Sequence, residues 1–216
     1  PGALGVSGIH EKLVTLAYAR EIKAQLERSG RFKVVLTRDR DQFLRLRDRI
    51  DLARRAGAQL FISLHADSHP DSSFRGASVY TLSEEASDSE AAALATKENK
   101  ADLIAGIDLS KENEVVTSIL IDLAQRETKN LSAQFAAMLV KELSRQTKLI
   151  RNTHRFAGFA VLKSPDVASV LVELGYLSNR ADEKQLLSAS YRTKLSQAVV
   201  KAVHEYFDWQ ESLKRS

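Results

Sequence analysis

Two short runs are apolar along almost their whole length: Leu60-Phe61-Ile62-Ser63-Leu64 and Ala168-Ser169-Val170-Leu171-Val172. A strand with one face in water alternates apolar and polar residues, whereas a nearly continuous run needs cover on both faces. That need restricts the chain to a sheet buried between layers of helices. Each run also ends on a residue with chemistry to offer, His65 after the first and Glu173 after the second.

The flanking segments supply the cover. Over residues 11–28, Leu13, Leu16, Ala17, Ile22 and Leu26 recur at mostly helical spacing, with Gly30 beyond the end, and residues 43–56 repeat the pattern up to Gly57. Residues 32–37 and 77–82 are expected to be strands, 158–162 a short one, and 182–187 and 191–209 helices. Strands alternating with helices predict an α/β class: a three-layer domain with a mainly parallel central sheet, helices on both faces and an inserted helical segment. In such sheets ligands gather beyond the carboxyl ends of the strands. His65 and Glu173 both stand at such ends.

A chain of 216 residues is expected to form one domain over 1–216. Its formal charge of +4, with basic and acidic residues interspersed, is too small a field to predict a nucleic-acid partner. No apolar run approaches the roughly 20 residues needed to cross a bilayer. The absence of cysteine excludes disulfides, thiolate catalysis and Cys-based metal sites. Pro1-Gly2-Ala3-Leu4-Gly5 has neither the basic nor the apolar part of a signal peptide and reads as the tail of a loop whose strand lies upstream.

Residues 83–148 interrupt the alternation. The stretch begins rich in Ser, Glu, Asp and Ala, and it is long against ordinary connections of about two to six residues. A helix is expected over 88–101 and another from Lys111, carrying Val115, Val116, Ile119, Leu120 and Leu123, and continuing through Leu131, Phe135, Leu139 and Leu143. Such a stretch reads as an inserted lid or regulatory unit.

The candidate chemistry lies in Glu11, His65 and Glu173. Catalytic zinc commonly takes three protein ligands from His, Glu or Asp and leaves a position for water, so Glu11 and His65 are of the right type. Each residue also has a purely structural reading. Glu11 suits the first turn of a helix, where the dipole favours an acid. His65 suits a hydrogen-bonded strand end, and Glu173 a pairing with an arginine, since a carboxylate on an apolar strand needs a partner or a perturbed pKa. His154, among Arg151, Asn152, Thr153 and Arg155, reads as polar surface or substrate rim. His10, His69 and His204 rank below it, and Arg38 and Arg47 are expected to orient Asp39 or Asp41. Walker loop, dinucleotide fingerprint, HExxH pair and Gly-x-Ser-x-Gly elbow are all absent.

Taken in order, Ile9-His10-Glu11-Lys12, Val35-Leu36-Thr37-Arg38-Asp39, Phe61-Ile62-Ser63-Leu64-His65-Ala66-Asp67 and Val172-Glu173-Leu174-Gly175-Tyr176-Leu177-Ser178-Asn179 resemble the zinc-dependent N-acetylmuramoyl-L-alanine amidases of the bacterial cell wall. The likeness runs from about residue 1 to 209, and the insertion resembles that of the Gram-negative periplasmic members that separate daughter cells.

The resemblance implies a zinc cofactor held by Glu11, His65 and a histidine upstream of Pro1, with Glu173 as the proton-transferring carboxylate and peptidoglycan as substrate. It also implies that Glu98, within Lys97-Glu98-Asn99, plugs the metal until an activator releases it. That activator would be a divisome protein with a degenerate peptidase-like domain; the apolar residues of the second insertion helix either pack back on the domain or provide its docking surface. The remaining readings are a non-catalytic cell-wall or divisome interaction module on the same scaffold, and a zinc peptidase.

Overall fold

The computed structural model describes residues 2–104 and 119–215, with side chains outside 103–104 and 119–124. In chain order it contains α1 (Glu11–Arg28), α2 (Leu46–Arg55), β1 (Leu60–His65), β2 (Ala77–Leu82), α3 (Ser89–Asn99), α4 (Ala101–Ile104), α5 (Ile119–Ser144), β3 (Leu149–Ala157), β4 (Ala168–Glu173), α6 (Arg180–Leu187) and α7 (Ala189–Arg215).

The strands form one mixed sheet in the order β1-β4-β2-β3, with β1 parallel to β4, β2 parallel to β3 and only the β2–β4 pairing antiparallel. Successive side chains on a strand point to opposite faces, and β4 shows why its run is unbroken. Val170 and Val172 enter one core, while Leu171 enters another on the opposite face. On β2, Val79 and Tyr80 divide in the same way. Helices therefore cover both faces, as the two apolar runs require.

The larger core lies under α1, α5 and α7. Phe135, Ala136, Leu139 and Leu143 of α5 meet Leu195, Val199, Val203 and Tyr206 of α7 and the valines of the sheet. Their three- and four-residue spacing makes one apolar stripe per helix, and each fully buried Leu contributes roughly 1.5–3 kcal/mol. The smaller core joins Tyr80 and Leu171 to Leu46 of α2, Ala91 and Ala95 of α3, and Phe159, Val161 and Leu162. α2 and α3 thus share one face of the sheet.

Three expectations are corrected. Residues 32–37 form no strand: the Val34 N–H donates to Glu27 Oε1 at 3.3 Å and its carbonyl accepts from Lys23 Nζ at 2.6 Å, so side chains of α1 take groups a ladder would use. Residues 158–162 contain the short 3-10 helix Ala160–Leu162, with Asn99 holding the Gly158 carbonyl at 2.8 Å and the Ala160 N–H at 2.7 Å. Helix α2 starts at Leu46, whose N–H is taken by the Asp102 carboxylate at 3.1 and 3.3 Å. Val115 and Val116, and the side chains of Ile119, Leu120 and Leu123, lie outside the described residues.

Candidate active site

The pleat aims the site residues. Phe61 and Leu171 pack in the smaller core, so Ser63, His65 and Glu173, two or four residues further along the same strands, face the same side. His65 and Glu173 are also direct partners in the parallel register of β1 and β4. Parallel strands bring their carboxyl ends to one edge, so two residues more than 100 positions apart finish side by side.

Glu11, the first residue of α1, reaches this edge from the other layer. Its Oε2 accepts the Ala3 N–H at 2.9 Å and its Oε1 the Ala66 N–H at 3.0 Å. Gly2, at φ +71°, passes so close that a Cβ there would lie 2.7 Å from Glu11 Oε2. His65 Nδ1 then lies 3.3 Å from Glu11 Oε1 and 3.4 Å from Glu98 Oε2. Nδ1 is buried and makes no hydrogen bond among the described residues, whereas Nε2 lies 3.0 Å from Ser63 Oγ. Nδ1 is the ring nitrogen that faces the two carboxylates.

Glu173 is wholly buried; its Oε2 accepts the Asp67 N–H at 3.1 Å and its Oε1 has no partner. Burial pushes its carboxyl well above the ordinary range, and the neighbouring acids Asp67, Glu11 and Glu98 add to this against the pull of His65. Burial likewise raises Glu98. For Glu11 burial is outweighed by His65 and the two backbone donors, which bring it down to about 2. Burial disfavours a charged His65, yet Glu98 and Glu11 hold it up at about 10. The cluster is short of positive charge.

Helix α3 lies over this cluster and is tied at both ends. Asp88 caps it by accepting the Ala91 N–H at 2.9 Å, and Arg155 pairs with Asp88 and, at 3.0 Å, with Glu90. Further along, Lys97 pairs with the buried Asp67, and Asn99 and Asp102 make the contacts already described. Sequence reasoning passed over Ser63, Asp67 and Lys97. Ser63 is detectable as the residue two before His65 on one strand, hence on the same face; the other two depend on how α3 folds back.

The remaining candidates lie elsewhere. His154 is on β3, at the sheet edge opposite β1, with Nε2 3.0 Å from Thr81 Oγ1. His10 is the residue before α1, His69 stacks on Phe74 at 4.3 Å, and His204 meets Phe32 edge-on at 4.9 Å. Arg38 Nη2 donates to the Lys12 carbonyl at 2.7 Å, and it is Lys12 that binds Asp41.

Among the described residues no three His, Asp or Glu side chains make up a complete metal-holding group. The donors present nevertheless suit a zinc-type cation. Tetrahedral ligands bound at 2.0–2.1 Å stand about 3.3–3.4 Å apart, which matches the two contacts on His65 Nδ1 at 3.3 and 3.4 Å. An imidazole nitrogen facing two carboxylates is a place where a divalent cation can take the position of a proton.

Residues 1–205 match the family described as N-acetylmuramoyl-L-alanine amidase, Amidase_3. The chain belongs to this amidase family. The family's enzymes are hydrolases of peptidoglycan, and this chain is an enzyme of that class. Amidase AmiA of Escherichia coli K12 is 38% identical over 99% of this chain and 74% of its own length. Amidase AmiC of Neisseria meningitidis serogroup B is 38% identical over 96% of this chain and 50% of its own. The chain thus spans about three quarters of one relative and half of the other. The catalytic domain of the amidase CwlV from Bacillus (Paenibacillus) polymyxa var. colistinus superposes with TM-score 0.65 at 25% identity, covering 96% of this chain and 90% of that one. The amidase CwlD of Clostridioides difficile, solved in complex with the GerS lipoprotein, has the same fold, with TM-score 0.69 at 20% identity over 96% of this chain and 92% of that one. Among the described residues no helix is long and apolar enough to cross a membrane.

Proposed function

We propose that this amidase is zinc-dependent and cuts the amide between the lactyl group of N-acetylmuramic acid and L-alanine, and that Glu98 holds it silent until an activator displaces α3. Glu11, His65 and a histidine upstream of Pro1 would hold the metal. The observation that carries the reading is the approach of Glu11 and Glu98 to Nδ1 of His65, at 3.3 and 3.4 Å.

Zinc, when bound, polarises a carbonyl and acidifies water at neutral pH. This chain's residues do the rest. Glu173, its Oε1 free and its proton affinity raised by burial, takes a proton from the attacking water and returns it to the departing nitrogen of L-alanine. The Asp67 N–H holds the other carboxylate oxygen, so one oxygen is positioned and the other is available. Ser63 orients His65.

Silence follows from where Glu98 sits. A carboxylate next to the metal ligands takes the place that water and substrate need, and its release requires a contact that favours the displaced helix. Residues 83–148 are proposed as the regulatory unit, working in the periplasm during cell separation. A divisome activator with a degenerate peptidase-like domain fits the docking role; the occurrence of CwlD in complex with a lipoprotein shows that an amidase of this fold can bind a partner.

Mass spectrometry of a purified muropeptide after exposure to Glu98→Ala protein tests the reading. Free L-alanine amine and intact N-acetylmuramic acid are expected, at a higher basal rate than the parent gives. Cleavage at a peptide bond would make the protein a peptidase, and an unchanged basal rate would remove the plug.

A further inference from the structure

The antiparallel pairing of β2 with β4 sets Ser78 directly opposite Glu173. Direct partners in such a pair share a face of the sheet and hold their Cβ atoms about 4.5–5.5 Å apart. Further along the same ladder Tyr80 and Leu171 are partners in this way, and both enter the smaller core. Glu173 is therefore flanked on its own face by His65 of β1 on one side and Ser78 of β2 on the other.

Ser78 and Glu173 are both wholly buried, and each carries an oxygen that makes no hydrogen bond among the described residues: Ser78 Oγ and Glu173 Oε1. Leaving a buried polar atom unpaired is costly. Here two such atoms belong to facing residues, and rotation of side-chain torsions alone brings them together. The hydroxyls of Tyr80 and Tyr176 border Ser78. Tyr80 OH accepts from Arg155 Nη1 at 3.3 Å, so its own proton is available to Ser78 Oγ, which leaves the Ser78 proton for the carboxylate.

We propose that Ser78 is a positioning residue for the reaction: its hydroxyl donates to Glu173 Oε1 and, with the Asp67 N–H on Oε2, fixes the carboxylate so that the remaining lone pair of Oε1 faces the attacking water. The inference rests on the amidase reading and deepens the part that Glu173 plays in it. A hydroxyl suits the place because it both donates and accepts. It holds the carboxylate before attack and the carboxylic acid after it, and keeps its own proton throughout. For packing alone, alanine would fill the same space without an unpaired hydroxyl, and Ser78→Ala would be harmless.

The test uses full-length, zinc-loaded protein carrying Glu98→Ala, with and without Ser78→Ala, Ser78→Thr and Glu173→Gln, acting on a purified muropeptide. Ser78→Ala should lower kcat by roughly 10- to 100-fold, as expected for loss of a hydrogen bond to a charged group. KM, zinc content and melting temperature should stay at the parent values, and Ser78→Thr should recover most of the loss. On the Glu173→Gln background, Ser78→Ala should change the residual turnover by less than about twofold, because a residue that acts only through the carboxylate has nothing left to act on. A crystal structure of the zinc-loaded parent should place Ser78 Oγ within about 3.0 Å of Glu173 Oε1.

An unchanged kcat in Ser78→Ala, a loss that appears only in KM or is shared by the melting temperature, or a full loss that persists on the Glu173→Gln background overturns the proposal. So does a crystal structure with the two oxygens beyond hydrogen-bond distance, and because that structure is of the parent it decides the matter even where Ser78→Ala fails to fold. If the Glu98→Ala protein cleaves no muropeptide amide, the amidase reading falls and the part given to Ser78 falls with it. Amide cleavage at equal rates with and without Ser78→Ala removes Ser78 alone.

Discussion

The same strand geometry places Glu173 and Ser63 for two different proposed tasks. Glu173 has one oxygen tied to the Asp67 N–H and one free, in full burial. Glu173→Gln preserves shape and the proposed metal ligands but removes the proposed proton acceptor. It should retain zinc by elemental analysis while turnover falls by about 10²–10⁴-fold, the usual contribution of general acid–base catalysis; ordinary turnover would end that assignment. Ser63 places its hydroxyl 3.0 Å from Nε2 of His65, where it would orient the ring. Orienting partners of this kind are worth about 10- to 100-fold in metal affinity, so Ser63→Ala should weaken zinc by that factor in a competition titration with a chromophoric chelator. An unchanged affinity would make the contact incidental.

At the scale of elements, α3 is held by polar ties rather than by a broad apolar face. Only Ala91 and Ala95 of this helix are buried, against four large or fully buried residues of α5 in the main core. Small buried area with several exchangeable bonds makes a segment that can open below the global unfolding free energy. Its N-cap also carries a pH signature. Arg155 holds Asp88 down to about 2, below the ordinary aspartate value near 3.9. A carboxylate depressed in the folded state stabilises fully above its unfolded pKa and loses that contribution as pH falls toward its folded one. Asp88→Asn keeps a capping side chain but removes the charge. In urea titrations the stability difference between parent and variant should be flat from about pH 7 to 5 and shrink between about pH 4 and 2. A gap that widens on acidification would contradict the pairing.

Over the whole molecule, the proposed zinc site would couple folding to a cation through the acids around His65. Bringing Glu11, Glu98, Asp67 and Glu173 together against only His65 and Lys97 is costly, and a ligand that binds only the native state offsets it by mass action. Zinc at about 100 times its dissociation constant adds about 2.7 kcal/mol, which for a domain of this size is about 5–10 °C in Tm. Chelation of the full-length protein should lower the melting temperature by that amount and zinc should restore it, whereas magnesium should not, since it prefers octahedral oxygen sites. A melting temperature indifferent to chelator would count against a resident metal.

The apolar runs at Leu60–His65 and Ala168–Glu173 were sufficient to announce a buried sheet with helices on both faces, because cover on both sides of a strand is a local demand written in its own side chains. The spacing of α1, α5 and α7 announced their packing stripes for the same reason. The ordered motifs around Glu11, His65 and Glu173 announced the amidase family. What the chain could not announce alone was everything decided by long-range contact. Residues 32–37 have a strand's composition, but Glu27 and Lys23 claim the backbone of Val34. Phe159, Val161 and Leu162 look like a strand but fill the smaller core as a turn of helix. Ser63 behind His65 and Asp67 under Lys97 acquire their meaning only from tertiary approach. Side-chain periodicity records which face of an element is dry; which atoms meet across 30 or 100 residues is set by register and packing, and those exist only in the folded chain.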